Sequence, residues 1–429
     1  MTRPQTYFFT SKRAILFLTF FLMFLVFFYS SNIRTLLIAV VSLLLFLCII
    51  SLKNGYLKLS NSNYLFLLMV LIQMIDVISD LLNGNSILSS LAYLIIFALL
   101  YIASINIKDA NTYEKVLWIT FLIAFIGGPL AGFYQLITKK YIFDFFSSQE
   151  QAQFNGIEYL LFSANNGNSD YASMHMMVSM FLSIILFKKR KNWFYLLTTI
   201  ISFVALIMTF SRATIIGVVF SFALYVVFRR KTNKNKKVIS KIIKFIAFLI
   251  PLFIIAFLIF LKPILTIISD YISNPYALEN FKYKLSGEGL NSRNIIWSGV
   301  FKLMGNSNCL NLFFGYGSNY SGFLEEYTGK SISAHNFLLG QFATAGLIGL
   351  LVSIIFFIYA VKKAYIFLHS RDSELVFYGM LLFSFLFNYL FVSIYDMVFI
   401  VFLFLITIKC NKLSYSHSFS KRTLQYYYE

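Results

Sequence analysis

Two arginines and one histidine, far apart in the chain, are the residues whose types and positions could do chemistry together. Arg212 follows Ser211, a natural helix N-cap, at the junction of two apolar runs; Arg293 begins an amphipathic stretch, and His335 stands at the start of another apolar run. Guanidinium groups bind phosphate oxygens through paired hydrogen bonds, and helix N-termini add backbone N–H groups for an anion. A neutral imidazole at the positive end of a helix dipole is suited to accept a proton. A diphosphate and a hydroxyl nucleophile are the reactants that such a site would serve.

Each of these residues also has a plainer interpretation. Arg212 could be an interfacial arginine that reaches lipid headgroups, Arg293 a solvated loop charge, and His335 a residue of the first turn of a helix capped by Ser333. The functional interpretation therefore requires that the three side chains converge in the folded protein.

Acidic and glycine-rich motifs give weaker signals. Asp76 and Asp80 lie one helical turn apart and could bind a divalent cation, but no second ligand pair follows at metal spacing. Gly315-Tyr316-Gly317 has no strand–helix context and predicts a tight turn rather than a nucleotide loop. We therefore predict no metal, no cofactor and no nucleic-acid partner.

The composition requires that lipid be the main solvent of the elements that carry these residues. The chain is 59% hydrophobic and 12% charged, with 51 phenylalanines in 429 residues. Average globular chains are roughly 25% charged, so this one cannot cover a water-soluble surface. Its three cysteines, Cys48, Cys309 and Cys410, predict no intrachain disulfide.

Apolar runs of roughly 17–25 residues predict transmembrane helices. We place them near residues 14–29, 35–52, 63–82, 87–106, 116–137, 170–187, 193–210, 212–228, 242–261, 334–360, 374–392 and 395–408. The predicted fold class is therefore all-α, with residues 1–429 forming a single transmembrane bundle of about twelve helices.

Basic residues predict the orientation. With both termini in the cytoplasm, 26 of the 36 Lys and Arg fall on cytoplasmic segments. We therefore expect a multi-pass protein of the cytoplasmic membrane whose site faces the extracytoplasmic side. Two extracytoplasmic loops are long, at residues 138–169 and 262–333, and the second separates the ninth and tenth helices. Within it, Asn291-Ser292 predict the cap of an amphipathic helix on the membrane surface or over the bundle.

Short motifs in the same order resemble the O-antigen polymerase and O-antigen ligase superfamily (Wzy and WaaL type) over about residues 160–360. The motifs are an Asn-rich entry at Asn165–Ala172, Ser-Arg-small at Ser211–Ala213, Arg293 with Trp297, Phe314–Ser318, and Ala334–Leu339 running into Ala345–Gly349. The entry has Gly-Asn-Ser-Asp where many relatives have Asn-Pro-Asn, which leaves the role of Asp170 open.

The resemblance implies metal-independent transfer of sugar from an undecaprenyl-diphosphate-linked oligosaccharide. His335 would then be the general base, Arg212 and Arg293 would bind the diphosphate, and Asn336 and Asp170 would contact substrate. A polymerase of a capsule or O-antigen cluster is the favoured interpretation, with the bilayer, a chain-length regulator and a flippase of the same pathway as further partners.

Other classes of function remain open at this stage. A ligase would transfer to another acceptor, and a flippase for lipid-linked oligosaccharide would favour short outer loops and internal repeats, which we do not find. A metal-dependent transferase would use Asp76 and Asp80, and a non-catalytic assembly subunit would need none of these side chains.

Overall fold

The computed structural model describes residues 21, 64–107, 110–138, 152–154, 157–159, 169–209, 211–230, 288–329, 331, 333–390 and 397–418. The transmembrane segments predicted at 14–29, 35–52 and 242–261 lie outside this part of the chain, apart from residue 21. The remaining predicted segments all contain helix.

The helices follow the predicted apolar runs closely. They are α1 Tyr64–Leu82, α2 Leu88–Asn106, α3 Ala110–Phe125, α4 Ala131–Thr138, α5 Ser169–Arg190, α6 Trp193–Met208, α7 Arg212–Arg230, α8 Glu288–Gly305, α9 Cys309–Phe314, α10 Tyr320–Thr328, α11 Phe337–Leu368, α12 Ser373–Tyr389 and α13 Met397–Ser418. A π-helical turn, Ile126–Leu130, joins α3 to α4, and a 3-10 turn, Gly317–Asn319, precedes α10. The all-α polytopic class is confirmed.

Several helices have the length and hydropathy to cross a bilayer. Four qualify on both counts, Tyr64–Leu82, Asn111–Gln135, Ala172–Arg190 and Phe337–Leu368, and five apolar helices of 10–17 residues accompany them. One small β-hairpin, β1 Ala152–Phe154 and β2 Ile157–Tyr159, interrupts the predicted loop 138–169.

The long helix α11 is a hairpin of two helices and not the single span predicted at 334–360. Gly346 has non-helical angles, φ 64° and ψ −156°, so the chain reverses there. The ring of Phe337 stacks on Phe357 at 5.7 Å and also contacts Phe356. In a straight helix, the nineteen residues from Phe337 to Phe356 would separate these two rings by about 28 Å. The first half, 337–345, is therefore antiparallel to the second half, 347–368.

Two glycines lock this reversal against the turn that precedes α10. Gly315 has φ 73° and a Cβ there would overlap the backbone of Thr344, while a Cβ on Gly346 would overlap the backbone of Phe313. Tyr316 N–H donates to Ala343 O at 2.9 Å and Ser79 Oγ donates to Thr344 O at 2.5 Å. These bonds satisfy carbonyls that the helix break leaves without an intrahelical partner.

Ion pairs tie the opposite end of the bundle together. Glu374 accepts from Lys409 Nζ at 2.7 Å and from Tyr113 Oη, and it lies 3.5 Å from Lys189 Nζ. Lys409 also pairs with Asp372 at 2.8 Å. Burial by itself raises the pKa of Asp372, but the hydrogen bond and charge of Lys409 lower it on balance. We call this end, which carries Lys188–Lys191, the basic end.

Replacing Gly346 with alanine tests the locked reversal. The positive φ and the overlap with Phe313 should together destabilise the protein by at least about 2 kcal/mol, seen as a lower melting temperature in detergent. Gly340→Ala is the matched control, because Gly340 lies in the same half-helix with nothing within 4 Å of its Cβ position. Equal melting temperatures for the two variants would contradict the hairpin.

Candidate active site

A buried chain of polar side chains joins three helices at the end of the bundle opposite the basic end. Ser173 Oγ lies 2.6 Å from Thr214 Oγ1, and Asn388 Nδ2 donates to Thr214 Oγ1 at 2.9 Å. All three side chains are buried. The first turns of α5 and α7 therefore meet the last turn of α12, and we call this place the site end.

The half-helix that begins α11 reaches the same point. Asn336 is its N-cap, accepting from Leu339 N–H at 3.1 Å, and its Nδ2 donates to Leu390 O at 2.9 Å. Leu390 is the C-cap of α12, two residues beyond Asn388. The predicted cap at Ser333 is therefore wrong, because the helix begins at Phe337 and the Asn336 carboxamide caps it.

Three helix N-termini thus converge at the site end. The starts of α5 and α7 meet through Ser173 and Thr214, and the start of α11 is joined to them through α12, where Asn336 bonds Leu390. Each start carries first-turn N–H groups and a positive dipole end. Such a place stabilises an anion. The half-helix supplies one of the three only because α11 reverses at Gly346.

His335 occupies a strained backbone position directly before this half-helix. Its φ is 46°, in the left-handed region that non-glycine residues rarely adopt, and its side chain is half-buried. The preceding residue is held on both sides: Trp297 Nε1 donates to Ala334 O at 3.1 Å, and Ala334 N–H donates to Tyr320 Oη at 3.0 Å. With Asn336 fixed as well, the neighbouring contacts impose the strained conformation.

Arg293 approaches the same segment from α8. It lies four residues before Trp297, one helical turn along the same face, and is half-buried. The buried side chains of α8 pack against the segment between α9 and α11; they are Ile296, Val300, Leu303 and Met304. The predicted cap at Asn291-Ser292 is wrong, because α8 already begins at Glu288.

Arg212 and Asp170 are placed by their backbones. Arg212 is the first residue of α7, two positions before Thr214, and Asp170 lies in the first turn of α5, three positions before Ser173. Through Ser173 and Thr214, whose hydroxyls share a hydrogen bond, both positions belong to the site end.

The site end is recessed with respect to the turn of α11. Phe337 contacts Phe356, ten residues beyond Gly346, so His335 stands about 15 Å below that turn along the second half-helix. The prediction that put His335 in the first turn, at the outer end of a single span, is wrong on both points: the residue precedes the helix, and the hairpin carries it inward.

The acidic pair Asp76 and Asp80 lies elsewhere, near the turn of α11. Asp80 Oδ1 accepts from Ser318 N–H at 2.6 Å, and Asp76 Oδ2 accepts from Gln341 Nε2 at 3.5 Å. In the described part of the chain, no three His, Cys, Asp or Glu side chains are grouped as for a metal. These carboxylates therefore hold the Gly315–Gly317 turn and the half-helix in place.

His175 and His369 lie on other elements than His335. His175 is buried at the π-helical turn, where a Cβ on Gly128 would lie 3.1 Å from the Cβ of His175. His369 is at the basic end, where Nδ1 lies 2.9 Å from Tyr365 O.

The sequence analysis did not single out four residues that hold this region together: Tyr320, Asn388, Thr214 and Ser173. Asn388 stands inside an apolar run, and a buried carboxamide in a transmembrane helix is a signal that could have been used. Tyr320 gives no such signal, because the chain has 28 tyrosines and only the fold brings this one to Ala334.

The architecture defines an all-α polytopic membrane protein whose buried polar side chains link the starts of α5 and α7 to the end of α12. Residues 197–354 match the family described as O-antigen ligase, a segment that includes Arg212, Arg293, His335 and the turn of α11. This match agrees with the resemblance to the O-antigen polymerase and ligase superfamily seen in the motifs, over the segment that it covers. The family supports membrane glycosyl transfer of the O-antigen ligase or polymerase type. No curated protein matches the chain.

Replacing Tyr320 with phenylalanine tests the clamp around His335. The change leaves the buried N–H of Ala334 without its acceptor, which should cost about 1–3 kcal/mol and lower the melting temperature. Tyr327→Phe is the matched control, because the Tyr327 hydroxyl accepts only the exposed bond from Asn306 that the structure records. A Tyr320→Phe protein as stable as the control would show that the bond contributes nothing.

Proposed function

We propose that the protein is a polysaccharide polymerase that joins undecaprenyl-diphosphate-linked oligosaccharide units at the outer face of the cytoplasmic membrane. The observation that carries the proposal is the hydrogen bonding of three helix starts at the end of α12: those of α5 and α7 through Thr214 to Asn388, and that of α11 through Asn336 to Leu390, two residues further on. The family match supports the glycosyl-transfer class, and the predicted roles of Arg212, Arg293 and His335 provide the mechanism.

The chemistry needs no nucleotide, because the energy for transfer is already in the sugar–diphosphate bond. The acceptor hydroxyl attacks the anomeric carbon while the bond from that carbon to the lipid diphosphate oxygen breaks. His335 takes the hydroxyl proton, and the bond electrons leave on the lipid diphosphate. General-base assistance of this kind is typically worth 10²–10⁴-fold in rate.

The leaving diphosphate is the group that needs most stabilisation. Arg212 and Arg293 would bind its oxygens, and the N–H groups at the starts of α5, α7 and α11 would face the growing charge. Donors fixed before the reaction typically contribute a few kcal/mol each, because no reorganisation is needed during bond cleavage. Asn336 already uses its carboxamide to cap α11 and to bond Leu390, so its part in binding would be to orient the neighbouring His335.

The positions of the charges support the proposed orientation. Lys188, Lys189, Arg190, Lys409 and Glu374 meet at the basic end, and cytoplasmic segments of membrane proteins carry the Lys and Arg excess. The site end then faces the extracytoplasmic leaflet, where lipid-linked oligosaccharide is available after a flippase has delivered it. Its partners would be that lipid, the bilayer and a chain-length regulator.

A ligase is the second candidate, favoured by the description of the matched family. It would use the same donor and the same leaving group, and would differ only in the acceptor hydroxyl. The two functions are therefore distinguished by supplying purified protein with lipid-linked repeat units alone, because a polymerase needs no other acceptor.

Removing the proposed base is the first test. We expect His335→Gln to lower polymer formation by about 10²-fold or more without changing the amount of folded protein in the membrane, measured as long-chain glycan on gels. His369→Gln is the matched control, because His369 lies at the basic end. Long-chain glycan of normal length and amount in the His335 variant would remove the base assignment.

Shortening the arginines is the second test. Arg212→Lys and Arg293→Lys keep the charge but lose the paired geometry, so we expect each to lower polymer formation by at least about tenfold, while Lys302→Met, an exposed change on α8, leaves it unchanged. The assay uses purified protein, defined lipid-linked units and a gel ladder. A ladder that forms with the Lys variants at the native rate would exclude diphosphate binding by these arginines.

A further inference from the structure

The helix α9 carries an apolar face that the protein core does not use. Leu310 and Phe313 are 47% and 50% exposed, Cys309 is exposed beside them, and no residue of α9 is buried. The sequence Cys-Leu-Asn-Leu-Phe-Phe has few polar side chains that water could hydrate. Within the described residues, only Leu312 of this helix packs against the cluster under α8 and α10.

The position of α9 relative to α11 indicates what covers this face. Phe313 lies against Gly346, at the start of the second half-helix of α11. That half-helix, residues 347–368, is about 33 Å long, close to the roughly 30 Å of a bilayer core. The helix α9 is therefore at the level of one boundary of the bilayer core.

Lipid-facing stripes lead to α9 from two helices. On α11 the exposed side chains Leu351, Ile355 and Ile358 follow one another at helical spacing below Gly346. On α1 the exposed Met74, Ile78 and Leu81 rise to the same level, because Ser79 bonds Thr344. These stripes end near the level of α9, where Leu310 and Phe313 are exposed.

We propose that α9 is an interfacial membrane anchor, with Leu310 and Phe313 inserted at the boundary between headgroups and acyl chains of the outer leaflet. The sequence predicted α8 on the membrane surface or over the bundle, and its side chains Ile296, Val300, Leu303 and Met304 are buried while Ile295 and Phe301 remain exposed. The helix α9 has no buried residue, which makes it the segment proposed to contact lipid. An amphipathic segment in this position lies in the plane of the interface.

The anchor has a consequence for the site that rests on the proposed function. The turn Gly315–Gly317 follows α9 directly and locks the hairpin of α11. By fixing this turn at headgroup level, α9 would set the depth in the membrane of the half-helix that follows His335.

Cys309 allows a direct test in the full-length protein. In a background with Cys48→Ala and Cys410→Ala, Cys309 is labelled with an environment-sensitive fluorophore and the protein is reconstituted into liposomes with nitroxide lipids. We expect blue-shifted emission and several-fold stronger quenching by a nitroxide near the headgroup than by one at the end of the acyl chain. A label at Glu325→Cys with Cys309→Ser, on the exposed face of α10, should be quenched by aqueous iodide and not by lipid nitroxides.

Two outcomes would overturn the proposal. Quenching of the Cys309 label by iodide to the same extent as the Glu325→Cys label would place α9 in water. Protection from both iodide and nitroxide lipids would show that another segment of the chain covers it. The measurement needs no substrate, so either outcome leaves the polymerase proposal untouched, and an inactive enzyme would leave the anchor untouched.

Discussion

A broken helix in a membrane protein must find new partners for its backbone, and the break at Gly346 is the constraint on which the site depends. Ala343 and Thr344 are buried in the protein, so their free carbonyls need donors from the protein itself. Tyr316 N–H and the Ser79 hydroxyl supply donors for Ala343 and Thr344. The Gly315–Gly317 turn is therefore a cap for the first half of α11, held in turn by Asp80 through Ser318 N–H.

The reversal creates the site by moving one helix N-terminus inward. Without it, Asn336 and His335 would stand at the end of a long straight helix, far from the starts of α5 and α7. With it, Asn336 bonds the end of α12, next to the Thr214–Asn388 pair. Arg212 and Asp170 stand at the starts of the two helices joined to Asn388, His335 precedes the helix whose cap bonds Leu390, and α8 brings Arg293 toward His335 through Trp297.

Buried polar side chains have different kinds of partner at the two ends of the bundle. At the basic end, Glu374 is neutralised by Lys409 and Lys189, and the pairs fasten α5, α12 and α13 together. At the site end, the hydroxyls of Ser173 and Thr214 and the carboxamide of Asn388 join the starts of α5 and α7 to the end of α12.

The class of fold and the positions of the described helices could be predicted from the sequence, which also supplied the candidate residues of the site. Hydrophobic runs long enough to span lipid must become helices, and arginine or histidine beside such runs is costly enough to indicate function. The sequence could not determine the reversal of α11, because 334–360 is continuously apolar and a glycine there is common in ordinary spans. Only the tertiary structure decided it, since the close approach of Gly315 and Gly346 and the donors from Ser79 and Tyr316 come from segments far apart in the chain. For the same reason, the clamp of Trp297 and Tyr320 on Ala334 and the burial of the α8 face followed from packing and not from local pattern.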